Sequence, residues 1–414
     1  MSGASQRHDM PNVFKTSSWM AKEFLRHFEN SNTFSKYVNK RYAGEYTKTD
    51  FRPGTTISIP KPARFAVTSG NVASFPDLTE ESVNLTLNQF NASFAPTSVE
   101  MTTAVSKDQF SERYLKGMAV ALASQVDKDG LALVATSVSN AAGTPGVTPT
   151  ALITYLNAKA IALEHGMPVD DQISIIVNPA AEAAIIDALK GIFHSTHEIE
   201  KQYKEGKMGL AIGAKWSMDQ LVAARVVGTQ GGVPLVDGAS QTGATINLKG
   251  WSATITNVLR AGDILTFAGV FAVNPVTKLS TGRLQQFVVT APANSTAGGL
   301  TANVAISPSI IVTGTTQTVT ASPADNAAVT VLGATAAGAV SNVVFHKDAF
   351  TLASIPMQTY GGLDKSAVEY DPDTGIAVRM TQGMDVTNDK LLVRADVLYG
   401  WAATRPEWAA RVEG

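Results

Sequence analysis

Apolar positions in the first third of the chain change period twice. In "SSWMAKEFLRHFENSNTFSKYV", residues 17–38, Met20, Phe24 and Phe28 recur at every fourth position and share one face of a short helix. That stripe needs a partner, either its own domain or a neighbouring subunit. From Gly54 to Pro96 the pattern becomes extended. "GTTISIPKPARFAV" carries prolines at 60 and 62, which suit an edge strand or a projecting arm, and in "ESVNLTLNQFNASFAP" Val83, Leu85 and Leu87 alternate with polar neighbours. The two runs predict a long antiparallel flap lying against something larger, because an isolated hairpin is marginal in water. Helical spacing then returns: Ser106 and Gln109 form a capping box ahead of Phe110, Tyr114, Met118, Leu122 and Val126. The helix predicted to about Leu133 is roughly 40 Å long at 1.5 Å per residue.

Punctuation defines the next elements. Thr148 and Pro149 open a helix closing at Gly166, Asn178 and Pro179 open another closing at Gly191, and "QISIIV" at 172–177 between them reads as a buried strand. From Gly228 to Ser341 short Val, Ile and Thr-rich runs alternate with Gly, Pro and Asn, which predicts an all-β barrel or sandwich. Within it, "GWSATITNVLRAGDILTFAGVFAVNP", Gly250 to Pro275, reads as two strands around a tight turn. The α/β texture resumes at "SNVVFHKDAFTLASIPM", and "GIAVRMTQ" and "KLLVRADVLYGWAATRPEW" predict two long alternating strands. The β region therefore interrupts a host domain, and the expected fold class is α+β.

Composition narrows the function. The chain has 414 residues, enough for two or three domains, and its 33 basic and 35 acidic residues leave a formal net charge of -2. No global field draws it to nucleic acid or to an anionic membrane. Charged residues are only 16%, below the roughly 25% of ordinary soluble domains, which points to a surface covered by other subunits. The 228–341 region holds seven: Asp237, Lys249, Arg260, Asp263, Lys278, Arg283 and Asp325. The absence of cysteine excludes disulfides, thiolate metal sites and cysteine nucleophiles. The opening "MSGASQRHDMPNVF" lacks the apolar core of a signal peptide, and no window approaches the roughly 18 apolar residues of a membrane span, so cytoplasmic synthesis is expected.

Catalytic patterns are missing. His194 and His197 in "HSTHEIE" stand three apart with Glu198 after them, whereas a zinc-protease helix needs histidines four apart around a glutamate. "DPDTG", 371–375, lacks most of the ligands of a calcium loop and reads as a turn, while "GLAIGAKW", 209–216, lacks the ending of a phosphate loop. "TRPEW" at 404–408, with Trp401, is an aromatic platform or, by preference, a rigid turn, and Arg7, Lys15, Lys22 and Arg26 of the basic arm are not clustered. The chain is expected not to be an enzyme and to need no cofactor or metal.

The order of parts, together with "ATITNVLRAGDILTFAGVFAVNPVTKLSTGRLQQFVVT" (253–290), "NVVFHKDAFTLASIPM" (342–357) and "LYGWAATRPEW" (398–408), resembles the major capsid proteins of tailed double-stranded-DNA phages. These have the Hong Kong 97 fold, and the nearest branch is the short-tailed Salmonella phage coat protein with an inserted β-barrel domain. The resemblance implies an N-terminal arm at 1–50, an E-loop flap at 51–96 and a peripheral domain with spine helix at 97–140. It further implies an axial domain at 141–227, an inserted β-barrel at 228–341 and a return through axial and peripheral domains at 342–414. In relatives the insertion aids folding and ties capsomers together through a charged loop; here the segment between Gly231 and Gly250 has only Asp237 and Lys249 as charges. The implied function is self-assembly into hexamers and pentamers of an icosahedral virion capsid, with a scaffolding protein, a portal and packaged double-stranded DNA as partners. Phe24 and Phe28 are the candidates for arm docking, and Ile57, Ile59 and Phe65 for flap contact. Two alternatives are a cargo-enclosing bacterial compartment shell of the same fold and a surface-binding protein with an Ig-like module.

Overall fold

In the computed structural model, residues 17–40, 56–61, 81–99, 111–189, 210–359, 365–372 and 374–414 are described. Helix α1 (Ser17–Ser31) turns Met20, Phe24 and Phe28 into the largest core of the chain, against α2 (Lys116–Ser137). A π-helical turn at Ser111–Leu115 leads into α2, whose 22 residues span about 33 Å. The capping box at Ser106 and Gln109 lies outside the described residues. Leu122, Val126 and Val134 carry the buried stripe, and Gly130 lets a later strand come close: a Cβ there would lie 2.7 Å from the Trp401 ring.

The strands follow in chain order. The flap consists of β1 (Thr56–Pro60) and β2 (Ser82–Thr86), paired antiparallel from Thr56↔Thr86 to Pro60↔Ser82, and β3 (Asn88–Phe94) continues from it. After α2 come β4 (Ala141–Gly143), α3 (Leu152–Glu164), β5 (Ile173–Val177), α4 (Pro179–Leu189), β6 (Leu210–Ala211), β7 (Ala214–Met218) and β8 (Ala224–Val226). Next are β9 (Gly232–Val236), β10 (Gly243–Trp251), β11 (Ile264–Val273), β12 (Ser280–Val289), β13 (Thr301–Ile310) and β14 (Val329–Val331). The chain then returns through β15 (Gly338–His346), β16 (Phe350–Ser354), β17 (Ser366–Asp371), β18 (Ile376–Asp385), β19 (Lys390–Ala403) and β20 (Ala409–Glu413).

Three sheets organise them beyond the flap. The host sheet runs β4-β20-β15-β5-β7-β6, with β8 also on β15, and α3 and its neighbours cover it around Tyr155 and Trp216. A second sheet, β16-β19-β18-β17 with β3 beside β19, packs on α1 and α2. Residues 232–331 form the third, in the order β14-β11-β12-β13-β10-β9, with a separate core that includes Phe267 and Phe287. Its two ends meet: Val236 N–H donates to Ala327 O (3.0 Å) and Asn326 N–H to Val236 O (3.1 Å). The six strands therefore wrap around on themselves, which leaves no long open edge. This β unit departs from the body between β8 and β15, which pair with each other at its base.

Two local expectations need correction. Helix α3 starts at Leu152 rather than at Pro149, because Ala151 is extended (φ -103, ψ 133) and the Pro149 ring lies against Gly414. The stretch after Trp251 is not a strand; residues 252–263 are turns with one ladder bridge, Leu259↔Ala293, and isolated backbone bonds such as Thr254 N–H to Thr296 O (3.0 Å), and the regular strand begins only at Ile264. Thr254 and Thr256 there are exposed, and Val258 and Leu259 are buried.

Candidate functional site

The β unit, the arm and the flap are each held to the body by a distinct set of contacts. At the base of the β unit four charged side chains form a buried knot. Arg411, fully buried on β20, donates from Nη1 to Ala135 O at the end of α2 (2.6 Å) and from Nη2 to Gly262 O in the β unit (2.9 Å), with Glu413 3.3 Å away. Arg225 on β8 joins Asp263 (2.8 Å) to Glu413 (3.2 Å), and Ser341 donates to Glu413 (3.1 Å). Asp263 also accepts from the backbone N–H groups of Arg260 (2.8 Å) and Gly228 (3.0 Å). Buried charges persist only when paired in this way. Burial pushes the Arg411 guanidinium down to about 10, with Glu413 pulling it back up, so it stays cationic at neutral pH. Burial likewise raises the Asp263 carboxyl, opposed by Arg225 and the two amides.

Gly262 makes the knot possible. It has φ +94, and a Cβ there would lie 2.7 Å from Ala135 O. Gly262→Ala is expected to cost about 2 kcal/mol in urea unfolding of the subunit, from strain at positive φ plus displacement of the Arg411 contact.

Two further contacts seat the β unit. The Gln286 side chain accepts from Ala141 N–H (2.7 Å) and donates to Ala141 O (2.9 Å), matching both backbone groups of β4. At the end of α3, Glu164 pairs with Arg283 (3.0 Å) and its carbonyl accepts from the Asn274 side chain (3.1 Å). Between α3 and the β unit lies a cavity of about 310 Å³, lined by Ile161, His165, Thr266, Ala272, Arg283 and Leu284 among others.

The arm and the flap are rooted by different means. Asp127, buried on α2, accepts from the backbone N–H groups of Thr33 (2.6 Å), Ser35 (3.0 Å) and Phe34 (3.2 Å), capping the 3₁₀ turn Phe34–Tyr37. Burial pushes its carboxyl up, against the pull of those three amides. Phe24 and Phe28 stack with centroids 6.0 Å apart and are wholly covered by their own chain. Ile57 and Ile59 are also covered, by Leu85, Leu87, Ala353 and Ala402. The four side chains thus fall into two internal clusters and do not face outward in the subunit, while Phe65 lies outside the described residues. Beside the flap, Asp396 holds β3 and β18 together by accepting from Gln89 (2.9 Å), Arg379 (2.9 Å) and Arg394 (2.7 Å).

Known proteins place this architecture. The model of the P22 coat protein family, described as gene protein 5, matches residues 11–412. The chain belongs to the P22 coat protein family. No curated sequence matches it. Among solved structures it is similar to one from Mycobacterium phage Che8, with 13% identity, 92% of this chain and 90% of that one covered, and a TM-score of 0.47. The capsid of Ralstonia phage GP4 follows with 9% identity, coverages of 89% and 85% and a TM-score of 0.46. A virus-like particle from Pyrococcus furiosus has 7% identity, coverages of 95% and 98% and a TM-score of 0.41.

For this P22 coat protein family member the remaining motifs resolve as structure. From Leu210 onward "GLAIGAKW" is the β6–β7 hairpin, with Ile212 and Gly213 both at positive φ; their carbonyls accept from Lys159, whereas a phosphate cradle would present N–H groups. In "DPDTG" Asp371 accepts from the Thr374 hydroxyl (2.6 Å) ahead of Gly375 at φ +67. "TRPEW" is a 3₁₀ turn with Arg405 stacked 4.0 Å over Trp408, and the Trp401 indole donates to Val126 O (3.0 Å). Lys22 reaches Glu369 (4.0 Å) and Arg26 pairs with Glu23, while Arg7, Lys15, His194 and His197 lie outside the described residues. Lys249 binds Asp237 (3.3 Å) and Asp325 (3.0 Å) within the chain, so both charges of the 231–250 segment are already paired. Among the described residues no cluster of three metal-ligating side chains occurs, and no helix is long and apolar enough to cross a membrane.

Sequence reasoning missed Asp127, Arg225, Arg411 and Glu413. A faint signal existed for the last two: "AARVE" places charges at alternate positions of a strand-like run beside apolar neighbours. It also missed Asp219, which is 5% exposed beyond β7 and accepts from Leu221 N–H through Oδ1 (2.8 Å). Burial raises its carboxyl to about 6, and neighbouring Asp127 adds to the rise. A raised acid favours the folded state fully below its unfolded pKa near 4, and that contribution is lost as pH climbs through 6. Asp219→Asn is therefore expected to be more stable than the parent by about 2 kcal/mol at pH 7, with the difference shrinking toward pH 4 in paired urea titrations.

Proposed function

We infer that this chain is a major capsid protein that assembles into the icosahedral shell of a phage virion. The family match over residues 11–412 carries the conclusion, and it implies a structural rather than an enzymatic role. Within that role, hexamers and pentamers would form a procapsid with a scaffolding protein and a portal, assembled in the host cytoplasm and later expanded around double-stranded DNA. Several features support this finer reading. The net charge of -2 suits a wall that encloses DNA without gripping it. Residues 1–50, 51–96 and 228–341 act as arm, flap and inserted domain in this scheme. Phe24, Phe28, Ile57 and Ile59 anchor arm and flap in their own subunit, leaving the flap segment around Phe65 to reach a neighbour. The paired state of Asp237 and Lys249 favours a folding and positioning role for the β unit over salt bridges between capsomers.

Expression with and without a candidate scaffolding protein from a neighbouring gene, followed by gradient sedimentation and negative-stain electron microscopy, tests it. Closed shells of uniform diameter are expected. Monomers and small oligomers under both conditions would refute the shell reading and return weight to a surface-binding protein, whereas shells that form alone around cargo would favour a bacterial compartment.

A further inference from the structure

Strand β20 has an unusual position in the host sheet. On one side it pairs with β15 over five residues, Ser341↔Glu413 to Phe345↔Ala409, but on the other the ladder is only the three residues of β4, in parallel register from Arg411↔Ala141 to Glu413↔Gly143, extended by Asn140, which accepts from Arg411 N–H (2.8 Å) and donates to Ala409 O (3.0 Å). So short a neighbour leaves β20 close to an open edge, where strands fray first. The β unit supplies what is missing. Gln286 on β12 bonds both the N–H and the carbonyl of Ala141, standing where the next strand of the sheet would stand. In return, β20 sends Arg411 to Gly262 O, and Glu413 receives Arg225, which also holds Asp263.

We propose that β20 and the β unit form a reciprocal latch: the docked unit clamps the β4 and β20 edge of the host sheet, and β20 in turn fixes the unit's angle on the body. Either clamp can open while the β unit keeps its own fold, because its core around Phe267 and Phe287 is separate from both host cores. Reciprocity is required thermodynamically, since whatever docking contributes to β20 order, β20 order contributes equally to docking. The latch gives the subunit a defined place to change the pose of the unit without unfolding it.

Hydrogen–deuterium exchange with mass spectrometry on the full-length subunit tests this with Gln286→Ala and Glu413→Gln. Gln286→Ala should raise the exchange rates of the β4 and β20 amides by about tenfold while Ile264–Phe267 and Phe287–Val289 keep their protection. Glu413→Gln should speed exchange at residues 260–263, again with the interior of the β unit protected. The proposal is overturned if β20 exchange is unchanged in Gln286→Ala. It is equally overturned if the interior of the unit loses protection together with β20, or if Gln286→Ala fails to fold at all, because the two bodies would then be one cooperative unit.

Discussion

Arg411→Ala is expected to destabilise the isolated subunit by about 3–5 kcal/mol, read as a fall in the urea midpoint at unchanged slope. The side chain is fully buried and neutralises Glu413 while satisfying the carbonyls of Ala135 and Gly262. Removing it leaves two carbonyls unpaired and Glu413 with only Arg225 and Ser341 as partners in a buried site, and unpaired buried groups cost more than the pair itself contributes. Two controls separate charge from volume. Arg411→Lys keeps the charge but offers one ammonium where a fork bridges three acceptors, so about half the loss should remain. Arg411→Met combined with Glu413→Leu removes both charges and should be more stable than Arg411→Ala. A loss below about 1 kcal/mol for Arg411→Ala would show that solvent enters and replaces the guanidinium.

Asp127→Ala should cost about 3 kcal/mol and selectively loosen the arm. Three backbone N–H groups, of Thr33, Phe34 and Ser35, end on this one carboxylate, and none has a substitute acceptor once it is gone. Each buried N–H left unpaired costs about 1 kcal/mol or more, against which alanine recovers a few tenths through its better helix propensity. The turn that carries Phe34 between Phe345, Phe350 and Trp401 would lose its cap, so limited proteolysis should cut near residues 32–38 before any cut in α2. Asp127→Asn keeps an acceptor but directs an amide N–H at the donors, and should fall between the two. Equal protease resistance of parent and Asp127→Ala would show that the aromatic cluster alone holds the turn.

Legibility varied with the range of the interactions. The Asn178 cap on Ala181, the buried strand at 173–177 and the period-four stripe of α2 were all visible, because each depends on neighbours a few residues apart. The change to a β unit between β8 and β15 was also visible, as a change of texture. By contrast, "ATITNVL" looks like a strand by propensity and is a series of turns, because a ladder needs consecutive partners in register and the segment has one bridge, Leu259↔Ala293, with scattered bonds around it.

Phe24, Phe28, Ile57 and Ile59 show the same division from another side. Their spacing announced that something apolar must cover them, and composition pointed to a neighbouring subunit. Which surface covers them depends on where α2 and β19 lie, and in the folded subunit those elements cover all four.

The sequence by itself determined the α+β class, the interruption of a host domain by a β unit and, by resemblance, a shell-forming role. Those properties follow from local periodicity, turn chemistry and composition, all of which are written in consecutive residues. Only the tertiary structure decided that Arg225, Asp263, Arg411 and Glu413, drawn from positions up to 188 residues apart, share one buried knot. A charged residue in a strand has the same local signature whether it meets water or a partner, and burial, which separates the two, is a property of the packed chain.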